Sequence, residues 1–282
     1  MGSVQISQDI QRFGFEALID LPEGQVTQVS SVIDVSQLEV AYTWGAQKLV
    51  FRSSVKYHGT DALIKMYRDP QAEDAPVSSR NDDVGIITIF PAVPLIEEPP
   101  LGTQELSESK ALSHLIAKRY LKDLVPETAF FIAQDEKGML RNWEIQTRVY
   151  GDTMKEIGSL LPHMGNLERI EALKLIGLVE RMFQETGYMP DLHGDILNTA
   201  NVVVSAEDKK SYLVDTDGQI VVDRDVVDSI KKNRESLIID GRLHPLVAEW
   251  MKKTDSVEAE RCFGLLQRTI DTLAIAKDYL RR

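Results

Sequence analysis

At 282 residues, with 44 acidic against 32 basic side chains, the chain has a formal net charge of −12. That balance argues against a nucleic-acid binder, whose affinity rests on Lys and Arg neutralising phosphates, and fits a cationic partner as readily as plain solubility. The length suits one large domain or two lobes. Cys262 is the only cysteine, so no internal disulfide is possible, and its apolar surroundings read as a buried helical thiol. No apolar run reaches membrane-spanning length and the N-terminus shows no basic-then-apolar signal, so no membrane association and a cytoplasmic location are expected.

Residues 17–21 and 26–35 predict short strands around the turn Pro22-Glu23-Gly24. From Leu38 the pattern sharpens into three strands, LEVAYTW, LVFRSSVKY and ALIKMYR, separated by Gly45-Ala46-Gln47-Lys48 and His58-Gly59-Thr60-Asp61. Lys65 lies in the third, where a strand lysine is ordinarily on the solvated face. An insertion over about 69–104 follows: AEDAPVSSRNDD is polar, VGIITIFPAV is strand-like and IEEPP breaks regular structure. A lid, a substrate element or an ornament would each fit it.

A helix is predicted over about 107–122, with Glu108, Leu112, Leu115 and Tyr120 near one face and Glu105 sharing it. A glutamate in the first turn is also favoured by the helix dipole alone. Strands over 128–133 and 143–149 flank the turn Asp135-Glu136-Lys137-Gly138, and the second runs into Tyr150-Gly151-Asp152-Thr153-Met154, read as a small-residue turn leading into a helix. Asn166 as N-cap and Gly187 beyond the last turn bracket LERIEALKLIGLVERMFQET, with Ile170, Leu173, Leu178, Val179, Met182 and Phe183 as its core face.

The stretch 189–223 carries the most chemistry. Val202-Val203-Val204, the polar turn 206–210 and Tyr212-Leu213-Val214 form a hairpin signal. His193, Asp195, Asn198 and Asn201 precede its first strand, and Asp215 and Asp217 follow its second. The start of one hairpin strand lies beside the end of the other, so Asp195, Asn201 and Asp215 should converge. Convergent carboxylates repel unless a cation sits between them, and hard oxygens suit Mg²⁺. A plain polar hairpin with Asp and Asn in its turns is the bland alternative. Helices are predicted over 226–234, 244–253 and 257–281, His244-Pro245 marking one start, with Phe263, Leu266, Ile270, Leu273 and Ile275 as core candidates of the last.

The order His193-x-Asp195, Asn201, strand, turn, strand, Asp215 resembles the catalytic segment of the protein-kinase-like superfamily. The similarity is to its small-molecule branch, typified by aminoglycoside and choline kinases, which open with His-Gly-Asp. The family sets its asparagine five residues after the aspartate; here Asn201 is six after Asp195 and Asn198 three. Asn201 is preferred because it abuts the valine strand, and Asp191 is an alternative to Asp195 as base.

The resemblance implies an α+β, two-lobed protein-kinase-like fold. An antiparallel-sheet N-lobe with one main helix would span 1–149, and a mostly helical C-lobe with the catalytic hairpin 150–282. It implies an ATP- and Mg-dependent phosphotransferase moving the γ-phosphoryl group to a hydroxyl of a small molecule or a protein. Asp195 would be the catalytic base, with His193 structural behind it, and Asn201 and Asp215 the metal ligands. Lys65 would hold the nucleotide phosphates, oriented by Glu108; Gly45 would lie in the phosphate loop, and the backbone of Thr147 to Val149 would bind adenine. Two other readings stay open. One is a nucleotide-binding module without transfer activity. The other is a haloacid-dehalogenase-type phosphatase using Asp215 and Asp217, since YLVDTDG is an apolar strand ending in Asp-x-Asp-Gly.

Overall fold

A computed structural model describes residues 18–42, 48–67, 100–157, 163–190, 192, 199–220, 238–239, 242–243, 271 and 273–282. It is a mixed α+β chain with an antiparallel-rich sheet first and helices later. The described residues cluster into two compact units. Those up to 67, 100–107 and 128–147 belong to one; 108–127 and those from 148 onward belong to the other.

The first unit is built on a six-stranded sheet. Its strands are β1 (Val26–Ile33), β2 (Glu39–Tyr42), β3 (Lys48–Tyr57), β4 (Thr60–Tyr67), β5 (Thr128–Asp135) and β6 (Leu140–Thr147), in the order β1-β5-β6-β4-β3-β2. The β3–β4 hairpin closes on His58 and Gly59, both left-handed at φ 49° and 78°, the backbone a tight two-residue turn requires. The β5–β6 turn is wound on Asp135, whose Oδ1 accepts the N–H groups of Lys137 and Met139 at 3.0 and 2.8 Å. One sheet face is apolar: Tyr57, Ala62, Ile64, Ala129, Phe131, Trp143 and Ile145 pack with Leu18, Leu21 and Ile33. The indole of Trp143 stacks on Phe131 with ring centroids 6.1 Å apart.

Three expectations for this region are corrected. Residues 18–20 form a turn, because Leu18 and Leu21, three apart, are both buried while Ile19 is exposed. β1 is a strand, but it pairs parallel with β5, Val26 opposite Phe130. The connection after β6 is not a simple turn, since Gly151–Thr153 form a further strand.

In the second unit that strand, β7 (Gly151–Thr153), pairs antiparallel with β9 (Val202–Ser205), which pairs with β10 (Ser211–Leu213). A glycine is needed at 151, because a Cβ there would fall 1.9 Å from the Val204 carbonyl oxygen. A short helix, α2 (Met154–Ile157), follows β7. A second pair joins β8 (Tyr188–Pro190) to β11 (Gly218–Ile220). Small strands β12 (Ile238–Ile239) and β13 (Arg242–Leu243) pair with each other.

Helix α1 (Gln104–Leu121) starts three residues earlier than predicted, with Thr103 Oγ1 accepting the Leu106 N–H at 3.3 Å. Its buried face also differs. Leu106, Ser107, Lys110, Ser113, His114, Ala117 and Leu121 are buried at three- and four-residue spacing, whereas Glu108, Leu112 and Leu115 are half-buried and Glu105 is exposed. A search for apolar periodicity misses a face that buries polar side chains.

Helix α3 (Asn166–Thr186) begins one residue inside its cap. The Gly165 N–H donates to Glu168 Oε2 at 2.9 Å, so Gly165 and not Asn166 is the N-cap. Gly187 ends it as expected, at φ 70°, with its N–H on the Phe183 carbonyl. The core stripe is Ala172, Leu175, Ile176, Val179, Met182 and Phe183; Ile170 is 50% exposed. Of the last helix, Leu273 is buried as expected and Ile275 is exposed. Phe263, Leu266, Ile270, Cys262, the insertion from 69 to 99 and the helices predicted over 226–234 and 244–253 lie outside the described residues. No helix among the described residues is long and apolar enough to cross a membrane.

Candidate functional site

On the sheet of the first unit, the face opposite the apolar core buries charged and polar side chains beside Phe130 and Ile132. Lys65 on β4 stands directly across from Glu144 on β6, its Nζ 3.3 Å from Glu144 Oε2. Lys48, at the start of β3, places its Nζ 2.7 Å from Glu144 Oε1 and 4.6 Å from the centre of the Tyr67 ring. The Tyr67 hydroxyl donates to the same Glu144 Oε1. Both lysines and the glutamate are at most 5% exposed. Two ammonium groups thus meet on one carboxylate out of water, an arrangement that stabilises little by itself and is strongly disturbed when the shared partner is removed.

The strand-lysine reading of Lys65 as a solvated side chain is therefore overturned: its ammonium is buried and ion-paired. Sequence reasoning also missed Lys48, placed in a turn, and Glu144. Strand alternation around Trp143-Glu144-Ile145 signals that Glu144 faces away from the apolar core; only the β4–β6 register sets it opposite Lys65. Thr147 is the last residue of β6, and Val149 follows in the connection, both half-buried. Gly45 lies outside the described residues.

In the second unit, two nested strand pairs hold the candidate metal ligands. β9 and β10 run antiparallel with Val202 opposite Leu213, and the Val214 N–H donates to the Asn201 carbonyl at 2.9 Å. β8 and β11 place Pro190 opposite Gly218. The stretch 199–201 and the stretch 214–217 are therefore tied together where Val214 meets Asn201, and the β8–β11 pair holds the far end of the second. Thr199, fully buried, anchors the first: its hydroxyl accepts the Asn201 N–H at 3.1 Å and its carbonyl the Lys155 N–H at 2.9 Å. In the second, Asp215 Oδ1 accepts the Asp217 N–H at 3.0 Å and the Tyr188 hydroxyl donates to the Thr216 carbonyl.

Asn201 and Asp215 are thus brought together by backbone pairing, each half-buried. Their donor set is a carboxamide and a carboxylate, all-oxygen and of one negative charge, which fits a hard divalent cation such as Mg²⁺ better than a thiophilic metal. Among the described residues no cluster of three His, Cys, Asp or Glu side chains is placed to hold a metal ion. Asp195, with His193, Asp191 and Asn198, lies outside the described residues. Glu108 is half-buried in the second turn of α1. Asp217 is buried, with Lys110 Nζ 3.2 Å from its Oδ2.

The turn at the far end of the hairpin is pinned by its own polar pair. The Tyr212 hydroxyl donates to Asp208 Oδ2 at 2.9 Å. Burial, then this bond, pushes the Tyr212 phenol up to about 12. Burial opposes ionisation of Asp208, but hydrogen bonds from Lys210, Ser205 and Tyr212 outweigh it and hold the carboxyl below its usual range.

No family model matches the chain, and no curated protein is similar to it in sequence.

Proposed function

We propose that the chain is an ATP- and Mg²⁺-dependent phosphotransferase of the protein-kinase-like type, acting on a hydroxyl of a small molecule or a protein. The observation that carries this reading is the pairing of β9 with β10 and of β8 with β11, which brings Asn201 beside Val214 and so next to Asp215. Supporting it, Lys65 lies on the third strand of the β2-β3-β4 meander, α1 follows, and β5 and β6 come next, the order the resembled fold uses.

In this reading Lys65 binds the α/β-phosphates, held in place by Glu144, and Gly45 lies in the phosphate loop. Backbone groups of Thr147 to Val149 take the adenine. Asp195 accepts the proton of the attacking hydroxyl as the new O–P bond forms and the bond from the γ-phosphorus to the bridging oxygen breaks, ADP leaving with that electron pair. Asn201 and Asp215 would hold Mg²⁺, which neutralises charge on the phosphates. Positioning supplies most of the rate enhancement, since phosphoryl transfer asks little covalent chemistry of the protein. The phosphatase reading fares worse. β10, which leads into Asp215, is the edge of a three-stranded antiparallel sheet, while that chemistry uses parallel strands.

The test is Mg²⁺-ATP binding by thermal shift and calorimetry, followed by a phosphate-transfer screen of hydroxyl acceptors. Asp215→Ala should weaken Mg²⁺-dependent binding at least tenfold, the scale of a lost metal ligand. Asp195→Asn should keep ATP binding and lose transfer. No Mg²⁺-dependent binding by the wild-type protein would refute the proposal. Binding without transfer to any acceptor would favour a nucleotide-binding module.

A further inference from the structure

Helix α1 buries a lysine on an inward stripe that it shares with Leu106, Ser107, Ser113, His114, Ala117 and Leu121. Lys110 is 5% exposed, and its Nζ is 3.2 Å from Oδ2 of Asp217, itself 6% exposed. A buried ion pair is seldom worth more to stability than apolar residues of the same size, so stability alone does not account for it. What it does is tie a helix to the stretch 214–217. The Asp217 N–H, in turn, is bonded at 3.0 Å to Oδ1 of Asp215. A contiguous path therefore runs from the Lys110 ammonium through the Asp217 carboxylate and backbone to the Asp215 carboxylate.

We propose that Lys110 is a positioning residue for Asp215: by anchoring Asp217 it sets the direction from which the Asp215 carboxylate meets a divalent cation. This rests on the phosphotransferase reading of Asp215 as a metal ligand. The pairing also has a selective consequence. Asp215 and Asp217 are two carboxylates two residues apart, and either would attract a divalent cation. The ammonium at 3.2 Å offsets the charge of Asp217 and makes that carboxylate a weaker draw for a cation.

The sign of one measurement separates positioning from plain electrostatics. Removing a nearby positive charge should by Coulomb attraction alone tighten Mg²⁺ binding. Loss of positioning should weaken it, by about tenfold on the scale of outer-shell partners of metal sites. The experiment titrates Mg²⁺ calorimetrically into the full chain at saturating non-hydrolysable ATP analogue, well below the unfolding temperature. Lys110→Met should raise the Mg²⁺ half-saturation about tenfold.

The double variant Lys110→Met/Asp217→Asn, which leaves no lone buried carboxylate, keeps the test open if the single variant does not fold. It should show the same rise, because the tie is absent in both. An unchanged or lower half-saturation in the variant that folds would overturn the proposal while leaving the phosphotransferase reading intact. Absence of any Mg²⁺-dependent binding by the wild-type protein would overturn both.

Discussion

Gly218 and Gly177 make a matched pair of perturbations, each adding one methyl group to the second unit. Gly218 opens β11 against β8. A Cβ built there would lie 2.3 Å from the Met189 carbonyl oxygen and 2.6 Å from the Tyr188 hydroxyl. The first of these atoms is backbone and has no rotamer to escape into, so the strand pair must part. Overpacking of this kind costs about 1–3 kcal/mol. Displacing Tyr188 also loses its bond to the Thr216 carbonyl, about 1 kcal/mol more. Gly218→Ala should therefore destabilise by about 3 kcal/mol on these two figures.

Gly177 sits within α3, exposed, and a Cβ there meets nothing within 4 Å. Gly177→Ala should stabilise by about 1 kcal/mol through helix propensity alone. Urea unfolding followed by far-UV circular dichroism reads both. The two variants should move the midpoint in opposite directions, and Gly218→Ala should also weaken Mg²⁺-nucleotide binding. A Gly218→Ala protein as stable as wild type, with binding intact, would refute the claim that the β8–β11 pair holds Asp215 and Asn201 in register.

Glu144→Ala removes the carboxylate shared by Lys48 and Lys65 and should destabilise by about 3 kcal/mol, the usual scale for breaking a buried pair. A loss under about 1 kcal/mol in urea unfolding would contradict the buried-pair assignment. The raised Tyr212 favours the neutral phenol in the folded state, so its contribution is whole below the ordinary value of 10 and is lost as pH rises through about 12. Wild-type stability should thus fall more steeply across that window than that of Tyr212→Phe, and parallel curves would count against the Tyr212–Asp208 pair. For Asp208 the sign reverses. Its carboxyl is lowered from 3.8, so its contribution is present above that value and fades as pH falls further. Asp208→Asn should therefore flatten the acid limb of the stability curve.

Local chemistry was legible wherever it is written in neighbouring residues. The β9–β10 hairpin follows from a valine run, a polar turn and a second apolar run. The three-strand meander carrying Lys65 follows from alternation broken at glycine, and the end of α3 from Gly187 alone. Each depends on backbone preferences within a few residues.

The rest needed the folded chain, because it depends on pairings that no period encodes. β1 joins β5 across about a hundred residues, and β8 joins β11 across nearly thirty, in three-residue strands too short to announce themselves. The partner of Lys65 is set by the β4–β6 register, and a one-residue slip would turn Glu144 to the other face. α1 hid its inward face because that face carries Lys110, His114 and serines, whose burial is decided by what they meet and not by their own hydrophobicity.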